Sequence, residues 1–314
     1  MFLKPIIIVF LSIVAFPIKS QNVSAMNKNE EIKSRLYKDV LWLTSVSPAR
    51  NYKNIQVLNQ VAEYIHAEFK KLKCEVRYQI FKVDGKEYKN VIANFGPTTG
   101  PVKVAGAHYD VAGEQDGADD NASAVAGMLE LARYLNEHTQ EIKTRIELVA
   151  YCLEEPPYFA TENMGSAIHV NDLVKNNIEV KAMICLEMIG YFSDKPSSQG
   201  FPDERMKALY PNTGNFIIVV GTDGQEKFTE SVKSLMKKNC SVDVQSIILP
   251  ASNPLGGLSD HRNYWKHKIP SVMINDTSFL RNPNYHEDSD TIETLDFNKM
   301  TEVVKGVCYT VLHI

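Results

Sequence analysis

The chain has 314 residues, of which 44% are hydrophobic and 23% are charged, a composition that can bury the core of an ordinary globular protein. Its formal net charge of −4, without a basic run, offers no field that attracts a phosphate backbone, so nucleic acid is not an expected partner. The five cysteines are widely spaced and include no Cys-x-x-Cys pair, so a disulfide framework is not expected, although one bridge among Cys74, Cys240 and Cys308 stays open.

Residues 1–25 differ in composition from the rest of the chain. One lysine precedes an apolar stretch that runs from Ile6 to about Ile18, and small residues follow, which is typical of a secretory signal peptide cleaved after residue 20 or 25. The stretch is shorter than the roughly 20 residues of a membrane-spanning helix, and no later segment reaches that length. We therefore expect an exported chain of residues 26–314 without a membrane span, in the periplasm or outside the cell. An uncleaved N-terminal anchor is the alternative.

Helix and strand patterns alternate along the mature chain. Two amphipathic helices come first, followed by two alternating segments around Asp84-Gly85, a dipeptide typical of a tight hairpin turn. The predicted helices are Glu30–Val46, Val57–Lys73, Ala122–Leu135, Gly165–Lys175, Glu226–Lys238 and Phe297–Leu312. The predicted strands are Glu75–Val83, Tyr88–Phe95, Val102–Ala107, Arg145–Cys152, Val180–Leu186, Phe216–Val220, Val242–Leu249 and Ser271–Ile274. This alternation predicts an α/β sheet covered on both faces, in one domain.

The first candidate site residues follow the strand Val102–Ala107. His108 and Asp110 are two residues apart, so their side chains share one side of the extended chain. A histidine that binds zinc usually donates its second ring N–H to a carboxylate, and this spacing suits such a pair. Asp119 and Asp120 then precede a helix. One carboxylate is enough to cap that helix, which leaves the other free to bind cations.

Further acids stand at the ends of two apolar strands. Glu154 and Glu155 follow the strand Arg145–Cys152, where two adjacent buried acids are costly unless a cation or a proton neutralises them. Their side chains diverge, so one can bind a metal while the other faces the water on that metal. Glu187, at the end of Val180–Leu186, is embedded between apolar neighbours and needs a partner for the same reason.

The last candidates, Tyr285 and His286, lie in a polar loop beyond the strand Ser271–Ile274. A lone loop histidine is usually solvated, so His286 counts only in combination with the other elements. Four of the five elements lie just past predicted strand ends, and α/β sheets gather binding loops at the carboxyl ends of their strands. All five elements are therefore expected to converge on one cleft. Two zinc ions balance the charge of three carboxylates and one hydroxide there.

These motifs, in this order, resemble the co-catalytic zinc aminopeptidases of metallopeptidase family twenty-eight. The motifs are His-x-Asp, Gly-Ala-Asp-Asp-Asn, Glu-Glu, a later acid and Tyr-His, and the resemblance extends from about Val102 to the C-terminus. The 12-residue step from His108 to Asp120 is also similar to that family's. The resemblance implies a single three-layer α/β/α domain with a mixed, mostly parallel central sheet, and two zinc ions in each chain.

The resemblance also implies a role for each site residue. Glu154 matches the general base, Tyr285 resembles a tyrosine that hydrogen-bonds the tetrahedral oxyanion, and Asp110 supports the histidine beside it. Asp120 would bridge the two ions. His108 and Glu187 would complete the ligands of one ion, and Glu155 and His286 would complete those of the other. The implied zinc ligands are His108, Asp120, Glu155, Glu187 and His286.

Two positions depart from the family pattern. Many members carry Asp where this chain has Glu187, which leaves one or two zinc ions open, and the segment after Glu155 is longer than the family's usual short turn. A polar cluster, Ser259-Asp260-His261, starts a predicted helix and is expected to cap it or to support the metal ligands. The remaining histidines have no acidic partner at ligand spacing and are expected to be structural or exposed.

The sequence thus predicts a secreted, monomeric zinc exopeptidase that removes N-terminal residues from peptides. Glutaminyl cyclase activity is an alternative, since that enzyme is similar in fold and keeps the His-x-Asp and Glu-Glu elements, although the Asp120-Asn121 step looks more like a peptidase. Carboxypeptidase activity on the same scaffold also stays open. A metal-free binding ectodomain is the third alternative, although no ligand is missing.

Overall fold

The computed structural model describes residues 18–314, with side chains from residue 26 onward. The predicted leader at residues 1–25 therefore lies outside the described residues, apart from the backbone of its last eight. The helices are α1 Ile18–Thr44, α2 Ile55–Lys70, α3 Ala124–Glu137, α4 Gly165–Lys175, α5 Glu226–Met236, α6 His261–Lys266 and α7 Phe297–His313. The strands are β1 Glu75–Val83, β2 Lys86–Phe95, β3 Val102–His108, β4 Arg145–Tyr151, β5 Val180–Glu187, β6 Phe216–Thr222, β7 Asp243–Leu249 and β8 Ser271–Asn275. None of the described helices is long and apolar enough to cross a membrane.

All eight strands join one sheet in the order β1-β2-β4-β3-β5-β8-β6-β7. Four of the seven strand pairings are parallel, namely β3 with β4, β3 with β5, β5 with β8, and β6 with β7. The other three are antiparallel. This confirms the predicted mixed, mostly parallel sheet. Because β4, β3, β5 and β8 run in the same direction side by side, their carboxyl ends meet at one edge of the sheet.

Helices cover both faces of the sheet, as predicted. On β5, Ile184 and Leu186 point into a large apolar core beneath α1, α2, α3, α5 and α7. Met183 and Cys185, which alternate with them, point into a smaller core beneath α4 and α6. This alternation follows from the two-residue period of a strand, and it explains why the central strands read as continuous apolar runs. The molecule is a three-layer α/β/α domain.

The β1–β2 hairpin confirms the turn predicted at Asp84-Gly85. Val83 pairs with Lys86, so the turn has two central residues, and both have positive φ, 50° for Asp84 and 75° for Gly85. Two left-handed residues match the twist of the flanking strands, and Asp-Gly adopts this conformation at low cost.

Two local details differ from the sequence prediction. The turn Ala118–Ser123 before α3 is interrupted at Asp120 and Asn121, which have non-helical φ/ψ, and no side chain caps α3. The short helix α6 likewise has no side-chain cap, so the capping role expected of Ser259 and Asp260 is wrong. All five cysteines are free, which closes the possibility of a disulfide.

A buried polar network crosses the sheet face beneath α4 and α6. Glu147 on β4 accepts hydrogen bonds from Arg145 and, at 3.0 Å, faces Nε2 of His169. The Tyr264 hydroxyl lies 2.7 Å from Nδ1 of His169 and 2.8 Å from the hydroxyl of Tyr151. Burial opposes ionisation of Glu147, but the contacts with His169 and Arg145 outweigh burial and lower its pKa to about 2. His169 is therefore structural, as expected.

We expect Glu147→Gln to lower the free energy of unfolding at pH 7 by about 3–5 kcal/mol, because it removes the buried anion that pairs with Arg145 and contacts His169. A carboxyl whose pKa is lower in the folded chain stabilises the fold above its unfolded pKa, here about 4.5, and that stabilisation is lost as the pH falls toward 2. The difference in unfolding free energy between wild type and variant should therefore have its full size at pH 7 and become smaller between pH 4.5 and 2. Urea unfolding at pH 7, 5 and 3 measures it.

Glu137→Gln provides the control, since Glu137 forms an exposed pair with Lys28 at 3.5 Å. Its effect should stay within about 0.5 kcal/mol at every pH. A Glu147→Gln variant as stable as wild type at pH 7 would contradict the role given to this network.

Candidate metal centre

The shared carboxyl edge of the parallel strands carries the predicted ligands. His108 is the last residue of β3 and Glu187 the last residue of β5. Glu154 and Glu155 follow the end of β4 by three and four residues, and His286 lies in the loop that follows β8. The convergence expected from strand ends is thus a direct result of the parallel order β4-β3-β5-β8.

Two groups of potential ligands meet at Asp120. On one side, Nε2 of His108 lies 3.3 Å from Asp120 Oδ1 and 3.3 Å from Glu187 Oε2. On the other side, Nε2 of His286 lies 3.1 Å from Asp120 Oδ2 and 3.4 Å from Glu155 Oε1. In each group the three side chains offer atoms within 4.8 Å of one another. Asp120 can therefore serve two metal ions, one through each oxygen.

A third combination meets the same distance limit, His108 with Glu154 and Glu155. Oε2 of Glu154 is 3.9 Å from Nε2 of His108, farther than the corresponding oxygens of Asp120 and Glu187. Glu154 therefore lies beside both groups without being the nearest acid to either histidine.

The unsatisfied atoms of this cluster fit a metal site. Among the described residues, the buried atoms that take part in no hydrogen bond include Asp120 Oδ1, Glu154 Oε1, Glu155 Oε1 and His286 Nε2. Buried polar atoms without partners are costly, and here they face one another across a few ångströms. Imidazole nitrogens combined with carboxylate oxygens form a donor set suited to zinc.

Electrostatics in the cluster favour a bound cation. Burial, followed by the neighbouring charge of Asp120, raises the pKa of Glu155 to about 8, and burial raises the pKa of Glu154 well above its usual range. Burial alone would lower the pKa of His286, but its contacts with Asp120 and Glu155 raise it to about 10. Protons shared between acids and histidines in this way can be exchanged for metal ions, which bind the carboxylates and the deprotonated imidazoles.

Asp110 supports the site differently from the expected histidine pair. Nδ1 of His108 lies 3.1 Å from the main-chain carbonyl oxygen of Asp110 and 3.6 Å from its carboxylate, too far for a hydrogen bond. The carboxylate instead accepts hydrogen bonds from the backbone amides of Glu154 and Glu155, each at 3.1 Å. Asp110 therefore links the end of β3 to the paired acids after β4.

The predicted tyrosine stands beside the histidine that follows it. The rings of Tyr285 and His286 are stacked, with centroids 3.8 Å apart and an interplanar angle of 19°. Burial and the nearby carboxylates, Asp120 foremost, raise the pKa of the Tyr285 hydroxyl, so it stays a proton donor at neutral pH. A protonated hydroxyl at this position can donate a hydrogen bond to an oxyanion.

The cluster Ser259-Asp260 supports Glu187. The hydroxyl of Ser259 donates a 2.5 Å hydrogen bond to Glu187 Oε2. Asp260 is wholly buried, neither of its oxygens has a hydrogen-bond partner, and burial raises its pKa to about 7. The sequence prediction of a supporting role is thus met by Ser259, whereas Asp260 adds a further buried acid to the cleft.

Comparison with known proteins identifies the family. The model of peptidase family M28 matches residues 90–311, more than two thirds of the chain. The chain belongs to peptidase family M28. This confirms the resemblance that the order of the motifs indicates.

Two curated proteins are similar to this chain in sequence. It is 44% identical over 281 residues to the uncharacterized protein YfbL of Escherichia coli K12, covering 87% of this chain and 85% of that one. It is 27% identical over 230 residues to leucine aminopeptidase 1 of Trichophyton rubrum, covering 69% of this chain and 55% of the fungal protein. The chain thus spans about half the length of the fungal relative.

Solved structures share the fold at low identity. BSAP, a zinc aminopeptidase from Bacillus subtilis, superposes with a TM-score of 0.69 at 15% identity, covering 89% of this chain and 94% of that one. The glutaminyl cyclase of Bacteroides thetaiotaomicron superposes with a TM-score of 0.66 at 18% identity, covering 90% and 98%. These similarities establish the shared M28-type fold. The residues of the site, rather than the fold, distinguish aminopeptidase from glutaminyl cyclase activity.

Sequence reasoning missed a buried arginine beneath the M28 site. The wholly buried guanidinium of Arg50 donates to the carbonyl oxygens of Leu43, Tyr109, Asp116 and Gly117. It therefore links the end of α1 to the segment after β3 and to the turn before α3, which carries the candidate ligand Asp120. The Gly117 turn has a positive φ of 63°, and an added Cβ would lie 2.4 Å from the carbonyl oxygen of Asp120.

A second missed residue, Asp290, holds the turn before α3 that carries Asp120, which we call the ligand turn, on the side opposite Arg50. Its carboxylate accepts hydrogen bonds from the amides of Asp119 and Asp120, at 2.9 and 3.0 Å. Asp119 itself accepts from the amide of Gly190 and from the side chain of Asn282, so it is structural, whereas Asp120 faces the histidines. The one available signal was the acidic run that follows His286 in sequence.

We expect Arg50→Lys to weaken zinc binding by about 10- to 100-fold, because an ammonium group cannot reach all four carbonyl oxygens and the ligand turn loses its fixed geometry. Competition with a chromogenic chelator measures the affinity, and thermal unfolding without metal reports the cost to the fold separately. Arg133→Lys is the control, since Arg133 on α3 pairs with Asp39 on α1, about 14 Å along the helix from the start of α3. Equal zinc affinities for both variants would contradict the role of Arg50.

Proposed function

We propose that this M28 member is a zinc-dependent aminopeptidase that removes apolar N-terminal residues from peptides, with two zinc ions in each chain. The observation that carries the proposal is the double ligand group that shares Asp120. One ion would be held with His108 and Glu187, and the other with Glu155 and His286. Glu187 in place of the family's common Asp still reaches its group, because Ser259 fixes its carboxylate.

Glu154 is the proposed general base. When bound, the zinc ions supply Lewis-acid polarisation of the scissile carbonyl and activation of water. Glu154 lies beside both ligand groups, its Oε1 accepts no hydrogen bond, and its pKa is raised by burial. A carboxylate with these properties takes the proton of the attacking water and passes it to the leaving amine. Tyr285 would donate a hydrogen bond to the oxyanion.

An apolar cavity next to the ligands supports the preference for apolar residues. Its volume is about 350 Å³, and it opens beside Glu187 and Tyr285. β6, β7 and β8 form its floor, and two long loops, residues 191–215 and 250–259, form its walls. The apolar lining includes Phe201, Met206, Phe216, Ile218, Val220, Ile247, Leu249, Leu255, Leu258 and Met273. A leucine, methionine or phenylalanine side chain fits these dimensions.

The charges around the cleft favour a free amine over a free carboxylate as the recognised terminus. Besides the ligand acids, Glu154 and Asp260 are buried at the site, and their carboxyl oxygens are further acceptors for the N–H groups of a free amine. An ammonium or amino group is attracted to such a position, which supports the aminopeptidase direction over the carboxypeptidase one. For glutaminyl cyclase activity the support is the likeness of fold alone.

We also propose that residues 1–25 direct export and that residues 26–314 form the catalytic domain. This rests on the charged start, the short apolar stretch and the small residues that follow it.

A panel of four substrates tests the proposed activity. With zinc present, the purified protein should release leucine from leucyl p-nitroanilide at least tenfold faster, in kcat/KM, than glycine from glycyl p-nitroanilide, because the cavity buries the larger side chain. N-acetyl-leucyl-alanine should resist hydrolysis, since it lacks the free amine. An N-terminal glutaminyl peptide should give no pyroglutamate, and prior removal of zinc by a chelator should abolish all turnover.

The panel also separates the alternatives. Hydrolysis of the acetylated dipeptide would indicate a carboxypeptidase, pyroglutamate would indicate a cyclase, and a chain without bound zinc or turnover would favour a binding ectodomain.

We expect Glu154→Gln to retain both zinc ions and to lose about 10²- to 10⁴-fold in kcat, the size of general base catalysis. Metal counting and steady-state kinetics on leucyl p-nitroanilide measure the two properties. Glu162→Gln is the matched control, since Glu162 is an exposed acid on the same loop that pairs with Lys266. Near-normal turnover of Glu154→Gln would refute the base assignment.

A further inference from the structure

The guanidinium of Arg262 lies beside the cleft without an anionic partner. Every other arginine has a protein partner: Arg35, Arg77, Arg133, Arg145 and Arg205 pair with acids, and Arg50 and Arg281 donate to main-chain carbonyls. Within residues 26–314, Arg262 has neither kind of contact for its side chain. It is half-buried, so its five N–H donors are partly removed from water and unpaired.

The long segment after Glu155 holds this guanidinium in place. Its central carbon lies 4.7 Å from the centre of the Phe159 ring, so the ring covers one face of the planar group. Phe159 belongs to the insertion that distinguishes this chain from the family pattern. Tyr158, its neighbour, is anchored by a 2.8 Å hydrogen bond to Asp84 in the β1–β2 turn. An aromatic face beneath a guanidinium leaves the N–H edge free, which is the edge that binds a carboxylate in bidentate fashion.

Arg262 lies outside the apolar cavity and next to the acids of the metal centre. The cavity is lined by residues of β6, β7 and β8 and includes neither Phe159 nor Arg262. Phe159 follows Glu155 by four residues, and Arg262 lies on α6, which packs against β5 and β8, where the charge of Glu154 acts on the guanidinium. A substrate with its first side chain in the cavity and its scissile bond at the ligands extends its leaving residue out of the cavity. One residue spans about 3.5 Å, so a side chain beside Glu154 but outside the cavity is placed to meet the residue directly after the scissile bond.

We propose that Arg262, supported by Phe159, binds a carboxylate on the residue that follows the scissile bond, so that the preferred substrates are dipeptides with an apolar first residue and a free α-carboxylate. This inference rests on the proposed aminopeptidase function and adds the substrate class. The same chemistry is offered by an acidic side chain on the second residue, which the experiment distinguishes. Longer neutral peptides lack the anion at this position and bind without the contact.

The test compares matched substrates within each protein. For wild type, kcat/KM should be at least tenfold higher for leucyl-alanine than for leucyl-alaninamide, the fold-change expected of a charge-assisted hydrogen bond. Arg262→Met should bring this ratio to about one, and Arg262→Lys should keep part of it. Taking the ratio within one protein cancels any change in the amount of folded, zinc-loaded enzyme.

Lys266→Met is the control, because Lys266 is the other cation of the same short helix and already pairs with Glu162 at 3.0 Å. It should keep the full ratio. A second comparison, of a leucyl-glutamate peptide with its leucyl-glutamine counterpart, both amidated at the C-terminus, identifies a side-chain carboxylate as the source if its ratio is the larger one.

Two outcomes overturn the proposal while leaving the aminopeptidase function intact: a wild-type ratio near one with both substrates hydrolysed, or a full ratio in Arg262→Met. Absence of hydrolysis for every leucyl substrate, the p-nitroanilide included, is instead the failure of the proposed function.

Discussion

The burial of several carboxyl groups at one sheet edge is the constraint on which the rest of the structure depends. Asp120, Glu154, Glu155 and Glu187 lie within a few ångströms of two histidines and are almost completely removed from water. Protons or cations must neutralise such a cluster, because isolated buried carboxylates cost several kcal/mol each. The shared position of Asp120 between two ligand groups shows how two cations would distribute that charge. Ser259 holds the carboxylate of Glu187, and the backbones of the other three acids are held by Asp110 and Asp290.

The supporting contacts are mostly main-chain hydrogen bonds to charged side chains. Asp110 receives the amides of the paired acids, Asp290 receives the amides of the ligand turn, and Arg50 binds the carbonyls on the other side of that turn. Amides that point at an anion and carbonyls that point at a cation are stronger partners than neutral groups. The ligand loops, which have no regular structure of their own, are thereby held in place by contacts with α1, β3 and the segment after His286.

Strand ends made most of the fold, and the clustering of the acids and histidines, predictable from sequence. His108, Glu155 and Glu187 each stop an apolar run, and the parallel order of those strands turns that pattern into a cluster. Arg50 and Asp290 escaped prediction because their partners lie 67 and 171 residues away, and main-chain hydrogen bonds leave no pattern in side-chain identity. The exact partner of Asp110 escaped for a related reason. A two-residue spacing defines a shared side of the chain, whereas the atom that a carboxylate contacts depends on which loop lies opposite.

The placement of β6 explains why the apolar cavity lies next to the ligands. β6 runs antiparallel to β8, so it starts at the edge where β5 and β8 end. The loop Tyr191–Asn215, which joins β5 to β6, therefore begins and ends at that edge and stays above it. A parallel β6 would require this connection to cross to the opposite edge, as the helical crossovers of the central strands do. The antiparallel strand thus keeps a long loop available as a wall of the cavity.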